Sequence, residues 1–213
     1  MKTSCTIYHA PLACSLAALI TAKEGDVPLE IIQVDLNAKT LEDGSSFLDV
    51  NPLGQVTTLH LPDGTFLTET SAALVWLQSH AASDAFRRTP PEPEFFQMLR
   101  WIGFCATELH KQLFRVVFYD EATDGVKNKF RNLAPQRFAV LDDHLADREF
   151  LVGDHFSAAD AYLTWTFVLN ARAGVDPGAF ANLAAYGERM LARPLVRQVI
   201  AEDQARYTRM QPA

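Results

Sequence analysis

The chain has 213 residues, enough to bury the core of one large or two small domains, and its 48% hydrophobic and 21% charged residues are those of a globular protein. A formal net charge of −7 without a basic cluster argues against a nucleic-acid surface, because phosphate contacts need concentrated Lys and Arg. Three cysteines, Cys5, Cys14 and Cys105, lack Cys-x-x-Cys or Cys/His ligand spacing, which fits a reducing compartment and predicts no metal.

Lys2 followed by apolar residues up to Ile20 looks at first like a leader. His9 and Pro11 interrupt it, and Thr6 to Tyr8 reads better as a strand, so the chain is read as cytoplasmic. No other segment has the apolar length to span a bilayer, and no membrane partner is expected.

The first third alternates short strands and helices. Thr6-Ile7-Tyr8 is β-branched and aromatic, Pro11 stops it, and Ser15 to Lys23 is helix-prone with Gly25 placed as a C-cap. Leu29 to Leu36 is a second strand, which makes a βαβ unit with the first. Ser45 to Val50 makes at most a short helix. Val56 to Leu61 and Thr65 to Thr68 flank Pro62-Asp63-Gly64, where Asp-Gly signals a hairpin, and Thr70 to His80 is a helix with a broad apolar face. This order predicts an α/β thioredoxin-like domain, βαβαββα, over 1–81.

Cys14 falls where the first strand gives way to the first helix. At a helix N-terminus the unpaired N–H groups and the dipole favour a thiolate. Taken alone, such a cysteine reads first as a small buried hydrophobe.

Prolines and charges at 82–93 predict a linker, and 94–213 reads as an all-α helical bundle domain. Phe95, Met98, Leu99, Ile102, Cys105, Ala106 and Leu109 recur at three and four and form a core face, where Cys105 is packing. Gly103, Thr107, His110 and Phe114 share a second, smaller and more polar face. Val126 to Leu145 is helical, with Pro135 kinking one helix or starting another. Ser157 is an N-cap candidate, Asp160 stands three residues on, and Phe156 precedes the cap as a staple. Ala161 to Val168 is then a buried helix with a role in folding. The last helices run from Asn182 to Ala205 and are punctuated by Arg193-Pro194.

The phrases NPLGQV, LPDGTFLTET and GDHFSAADAYL, in this order over nearly the whole chain, resemble a cytosolic glutathione S-transferase. APLACSL with Cys14, ATELHK and VKNK resemble the bacterial beta class within that superfamily. The resemblance implies the fold above, a homodimer, and glutathione as co-substrate for a small electrophile. It implies that Cys14 contacts the glutathione sulfur and can form a mixed disulfide, with Ser15 beside it. Lys39 would lie near the glycyl end and the Val56 backbone would pair with the cysteinyl part. Glu69 and Thr70 would hold the γ-glutamyl group, whose ammonium wants a carboxylate and whose carboxylate wants helix N-terminal amides. His110 and Lys111 would line the thiol side, and Thr107 with Glu108 would reach a neighbouring subunit's glutathione. The site of such enzymes sits between their two domains.

Cys14, Ser15 and His110 are therefore the candidate catalytic residues. His9, Phe114, Phe118 and Tyr119 are candidates for the electrophile's pocket. Three positions depart from the family. Thr57 stands where a proline normally follows the valine in a cis peptide, so either the loop is trans and altered or packing enforces the cis form. Gly103 replaces a polar asparagine, and His9 replaces a phenol, where an imidazolium near Cys14 would favour its thiolate. The expected activity is glutathione conjugation, with thiol–disulfide exchange or reductive dehalogenation through Cys14 as a second branch. The alternative is a non-catalytic binding or regulatory protein, its glutathione affinity weakened by Thr57 and Gly103.

Overall fold

A computed structural model describes residues 5–210. By compactness the chain divides into two units. One contains the described residues of Met1–Arg88 and Pro194–Ala213, and the other spans Thr89–Arg193.

The first unit is built on a five-stranded sheet in the order β3-β2-β1-β4-β5. β1 (Cys5–His9) lies at its centre, parallel to β2 (Leu29–Asp35) and antiparallel to β4 (Thr58–His60). β1 is buried at every residue, as expected of a central strand covered on both faces. β4 turns through the Asp63-Gly64 hairpin into antiparallel β5 (Phe66–Thr68), with Gly64 at φ +87° where glycine has no Cβ penalty. β3 (Thr40–Leu41) is a two-residue edge that the sequence pattern did not signal. The short helix expected at 45–50 is a single 3₁₀ turn, Phe47–Asp49, capped by the Ser46 hydroxyl on Leu48 N–H. Phe47 packs with Tyr8 and Val34 in a cluster that partly buried Ile32, Leu36, Leu41 and Val56 complete.

α1 (Ser15–Glu24) is buried from Ser15 through Ala22 because it packs against both α2 (Thr70–Ser79) and the last helix of the chain. That helix, α9 (Pro194–Met210), buries Val196, Val199 and Asp203, and so belongs by packing with the thioredoxin-like unit rather than with the helices that precede it in sequence.

In the second unit α3 (Pro93–Phe104) continues without a break through a π-helical stretch, Cys105–Phe114, into a short α4 (Arg115–Val117). Phe95, Met98, Ile102, Cys105 and Leu109 are buried as their spacing predicts, whereas Leu99 faces outward and Trp101 is buried in its place. α5 (Asp124–Arg131) and α6 (Ala134–His144) are separate helices, with Pro135 in the first turn of the second, where its missing N–H removes nothing. α7 (Ala158–Ala173) is the buried helix of this unit, packed on α3, the π-helical stretch and α8 (Ala181–Ala192). Its start is the expected capping box of Ser157 and Asp160, and it ends on Gly174 at φ +66°. Among the described residues no helix is long and apolar enough to cross a membrane.

Candidate functional site

Cys14 is the N-cap residue of α1 and is 6% exposed, so its sulfur sits at the positive end of a ten-residue helix. The segment before β4 and the start of α2 both reach it. Cys14 Sγ donates to Val56 O at 3.3 Å, and Thr70 Oγ1 donates to Cys14 Sγ at 3.2 Å. Thr57 Oγ1 lies 3.2 Å from Thr70 Oγ1. The Val56–Thr57 peptide is cis, and the Thr57 side chain is buried. Three positions named from sequence, Cys14, Val56 and Thr70, thus meet within hydrogen-bond distance, and Thr57 joins them. The hydroxyl contact from Thr70 to sulfur was not legible in the sequence, because its partner lies 56 residues away and the resemblance gave Thr70 only to the γ-glutamyl group.

Ser15 and His9 are placed differently from expectation. Both are fully buried, His9 on the last residue of β1 and Ser15 on the first of α1. His9 Nδ1 and Ser15 Oγ share a 2.8 Å hydrogen bond, Ala10 N–H donates to Ser15 Oγ, and His9 Nε2 donates to Asp203 Oδ1 at 2.6 Å. Asp203 Oδ2 accepts the Leu12 N–H at 2.8 Å. Leu12 has φ +62°, a left-handed conformation that a branched side chain holds only where its surroundings fix it. His9 is therefore not on a pocket wall. Its imidazole is a strut between β1, α1 and α9, and with Asp203 it fixes the loop that delivers Cys14. No sequence signal marks this pair, because its members are 194 residues apart.

Glu69, the N-cap residue of α2, is exposed and also left-handed, with φ +71° and no side-chain cap bond. Its carboxylate therefore stands at a helix N-terminus, next to Thr70. Lys39, at φ +60°, donates through Nζ to Gly54 O at 2.9 Å. Asn51 Nδ2 donates to Gln55 O and Thr58 Oγ1 and so braces the NPLGQV loop from inside.

In the second unit His110 lies within the π-helical stretch. Its Nδ1 is 2.8 Å from Tyr162 OH, and its ring packs edge-on against Trp165 at 4.7 Å between centroids. Burial pulls its pKa down to about 3, with the Lys111 and Arg115 charges pushing the same way, so the imidazole is neutral at physiological pH. Tyr162 and Trp165 come from the helix to which the sequence reading gave only a role in folding. Lys111 is exposed. Thr107 donates to Gly103 O at 3.0 Å, while Glu108 pairs with Arg137 at 2.9 Å and accepts from Gln112. A Cβ on Gly103 would meet nothing within 4 Å. Phe114 is 1% exposed and touches Trp165, so it is core rather than a pocket wall. Phe118 and Tyr119 are at the surface, with the Arg172 guanidinium over the Phe118 ring.

Comparison with known proteins gives the family. Residues 13–80 match "Glutathione S-transferase, N-terminal domain" and residues 104–194 match "Glutathione S-transferase, C-terminal domain". Glutathione S-transferase GstA of Escherichia coli O157:H7 is 30% identical over 201 residues, covering 92% of this chain and 98% of the relative. The chain belongs to the glutathione S-transferase family. Within that family it is similar to bacterial enzymes of the beta class. One solved structure, the bacterial beta-class enzyme of Sphingomonas chungbukensis, has a TM-score of 0.86 at 31% identity, covering 93% of this chain and 98% of that one. A second, a sphingomonad glutathione S-transferase complexed with glutathione, has a TM-score of 0.87 at 31% identity with the same coverage.

Proposed function

We propose that this protein transfers the thiolate of glutathione to a small, apolar electrophile, and that Cys14 can also exchange with the glutathione sulfur through a mixed disulfide. The observation that carries the reading is the meeting of Cys14, at the N-terminus of α1, with the Val56 carbonyl and with Thr70 at the N-terminus of α2, where Glu69 is the neighbouring residue. In this reading the Glu69 carboxylate takes the γ-glutamyl ammonium and the start of α2 takes the α-carboxylate. The Val56 backbone pairs with the cysteinyl residue, and Lys39 lies toward the glycyl end. In disulfide exchange the Cys14 thiolate attacks one sulfur of a disulfide, forms a mixed disulfide and expels the other sulfur as thiolate. His110, kept neutral by burial, serves as an N–H donor rather than as an acid: in the tautomer where Nδ1 accepts the Tyr162 hydroxyl, Nε2 carries the ring's one hydrogen. Ser15, whose hydroxyl bonds inward to His9, positions Cys14 and is not itself a donor to the substrate sulfur. Lys111 lines the thiol side with His110, Thr107 and Glu108 reach the glutathione of the neighbouring subunit in a homodimer, and the protein works in the cytoplasm.

Retention on immobilised glutathione together with turnover of a generic aryl halide tests this against the non-catalytic alternative that Thr57 and Gly103 suggest. Thr57 favours the enzyme, because its hydroxyl enters the Cys14 network instead of leaving a gap where proline is usual. In a Cys14→Ala variant, disulfide exchange disappears and conjugation falls only in part. If both activities survive unchanged, the assignment of Cys14 is wrong.

A further inference from the structure

Counting protons gives a direction to the hydrogen bonds that link Cys14, Thr70 and Thr57. The thiol has one hydrogen, and it points to Val56 O. Thr70 has one, and it points to the sulfur. Thr70 Oγ1 can then meet Thr57 Oγ1 only as an acceptor, so Thr57 donates to Thr70 and Thr70 donates to Cys14. Cys14, Thr57 and Thr70 are 6%, 1% and 6% exposed, so water competes little for these bonds.

On ionisation the two kinds of partner diverge. The Val56 carbonyl loses the hydrogen it accepted and presents its oxygen to an anion. The Thr70 hydroxyl keeps donating, now to a charged acceptor, and such bonds are roughly twice as strong as neutral ones. A donor behind Thr70 polarises its O–H and strengthens it further.

We infer that Thr57 and Thr70 form a one-way hydroxyl chain that stabilises the thiolate of Cys14, with Thr70 as the donor to sulfur and Thr57 as a positioning residue acting through it. The inference rests on the reading of Cys14 as the working sulfur. It gives a chemical role to the residue that departs from the family pattern, since a proline at position 57 has no hydroxyl with which to start the chain.

The test is the ionisation of Cys14 without ligand, followed by the ultraviolet absorbance of the thiolate against pH, with Cys14→Ala as reference. Burial pushes the Cys5 thiol up to about 11 and pushes Cys105 up as well, so neither obscures an activated thiol. The other ionisable groups around the sulfur stay in place. His9 and Asp203 act through Ser15, Glu69 precedes Thr70, and the Lys39 ammonium is on Gly54 O.

Thr70→Val raises the midpoint by about one pH unit, the scale of a hydrogen bond to a charged group. Thr57→Val raises it by about 0.3 unit, with about a twofold fall in Cys14 alkylation rate below the midpoint. The double variant matches Thr70→Val alone, because Thr57 acts on the sulfur through Thr70, and Thr57→Ser restores the original midpoint. An unchanged midpoint in Thr57→Val overturns the inference. So does a Thr57 effect that persists in the Thr70→Val background, or one that serine does not restore, since either would make Thr57 a packing residue. Failure of the glutathione reading shows separately, as absent glutathione binding with these midpoint shifts intact.

Discussion

Two fully buried aspartates do similar work in the two units, and the contrast between them separates folding from function. Asp160 accepts four hydrogen bonds, from Leu151 N, Ser157 N, Ser157 Oγ and Tyr186 OH, at 2.6–2.9 Å. Burial pushes its pKa up, against the pull of those donors. Asp203 accepts two, from His9 Nε2 and Leu12 N, at 2.6 and 2.8 Å. Asp160 fastens the start of α7 to the loop before it and to α8. Asp203 fastens a left-handed loop two residues before Cys14, and through His9 the serine one residue after it. In the proposed reading, a network closed within the helical unit serves the fold, whereas one that ties the last helix to the loop before Cys14 serves the chemistry.

The largest effect should come from breaking the first network. Asp160→Ala strands four buried donors and costs about 3–5 kcal/mol, read by urea denaturation, while the ionisation midpoint of Cys14 stays where it was. Asp203→Ala strands two and costs about 2–3 kcal/mol. Unlike the first variant it also disturbs Cys14, seen as a changed midpoint and a lower rate of disulfide exchange. If both variants leave Cys14 alone, the distinction between the two aspartates collapses.

A smaller effect concerns His110. Its pKa in the fold, about 3, lies below the ordinary value of 6.5, so the unfolded chain binds a proton that the folded chain does not. The stability it contributes is present above pH 6.5 and is lost as pH falls toward 3. His110→Phe should flatten that part of the acid limb of a stability-against-pH curve, whereas an equally steep curve would mean that the imidazole titrates normally. The smallest effect is the shift of about 0.3 unit in Cys14 for Thr57→Val.

The same contrast explains what the sequence could tell. The strand and helix order of the first unit, the Asp63-Gly64 hairpin and the Ser157/Asp160 box are short-range patterns, and each is found where its pattern put it. Cys14, Val56 and Thr70 were nameable because they sit at element junctions within recognisable phrases. The His9–Asp203 pair was invisible, since nothing local in α9 distinguishes Asp203 from a solvated carboxylate. Gly103, Thr107, His110 and Phe114 do not form the single polar face their spacing suggested. From Cys105 to Phe114 the backbone winds as a π-helix, which advances fewer degrees per residue, so Phe114 turns into the core while Thr107 stays outside. Two-residue β3 was too short to carry a period.

The most direct test of the central claim, that the first unit holds glutathione against Cys14, is a calorimetric titration of the reduced protein with glutathione, repeated on Glu69→Ala. Saturable binding is expected, weakening about tenfold or more when the Glu69 carboxylate is removed, as for loss of a charged hydrogen-bond partner. No binding, or binding indifferent to Glu69, would contradict the claim and leave the fold with another ligand.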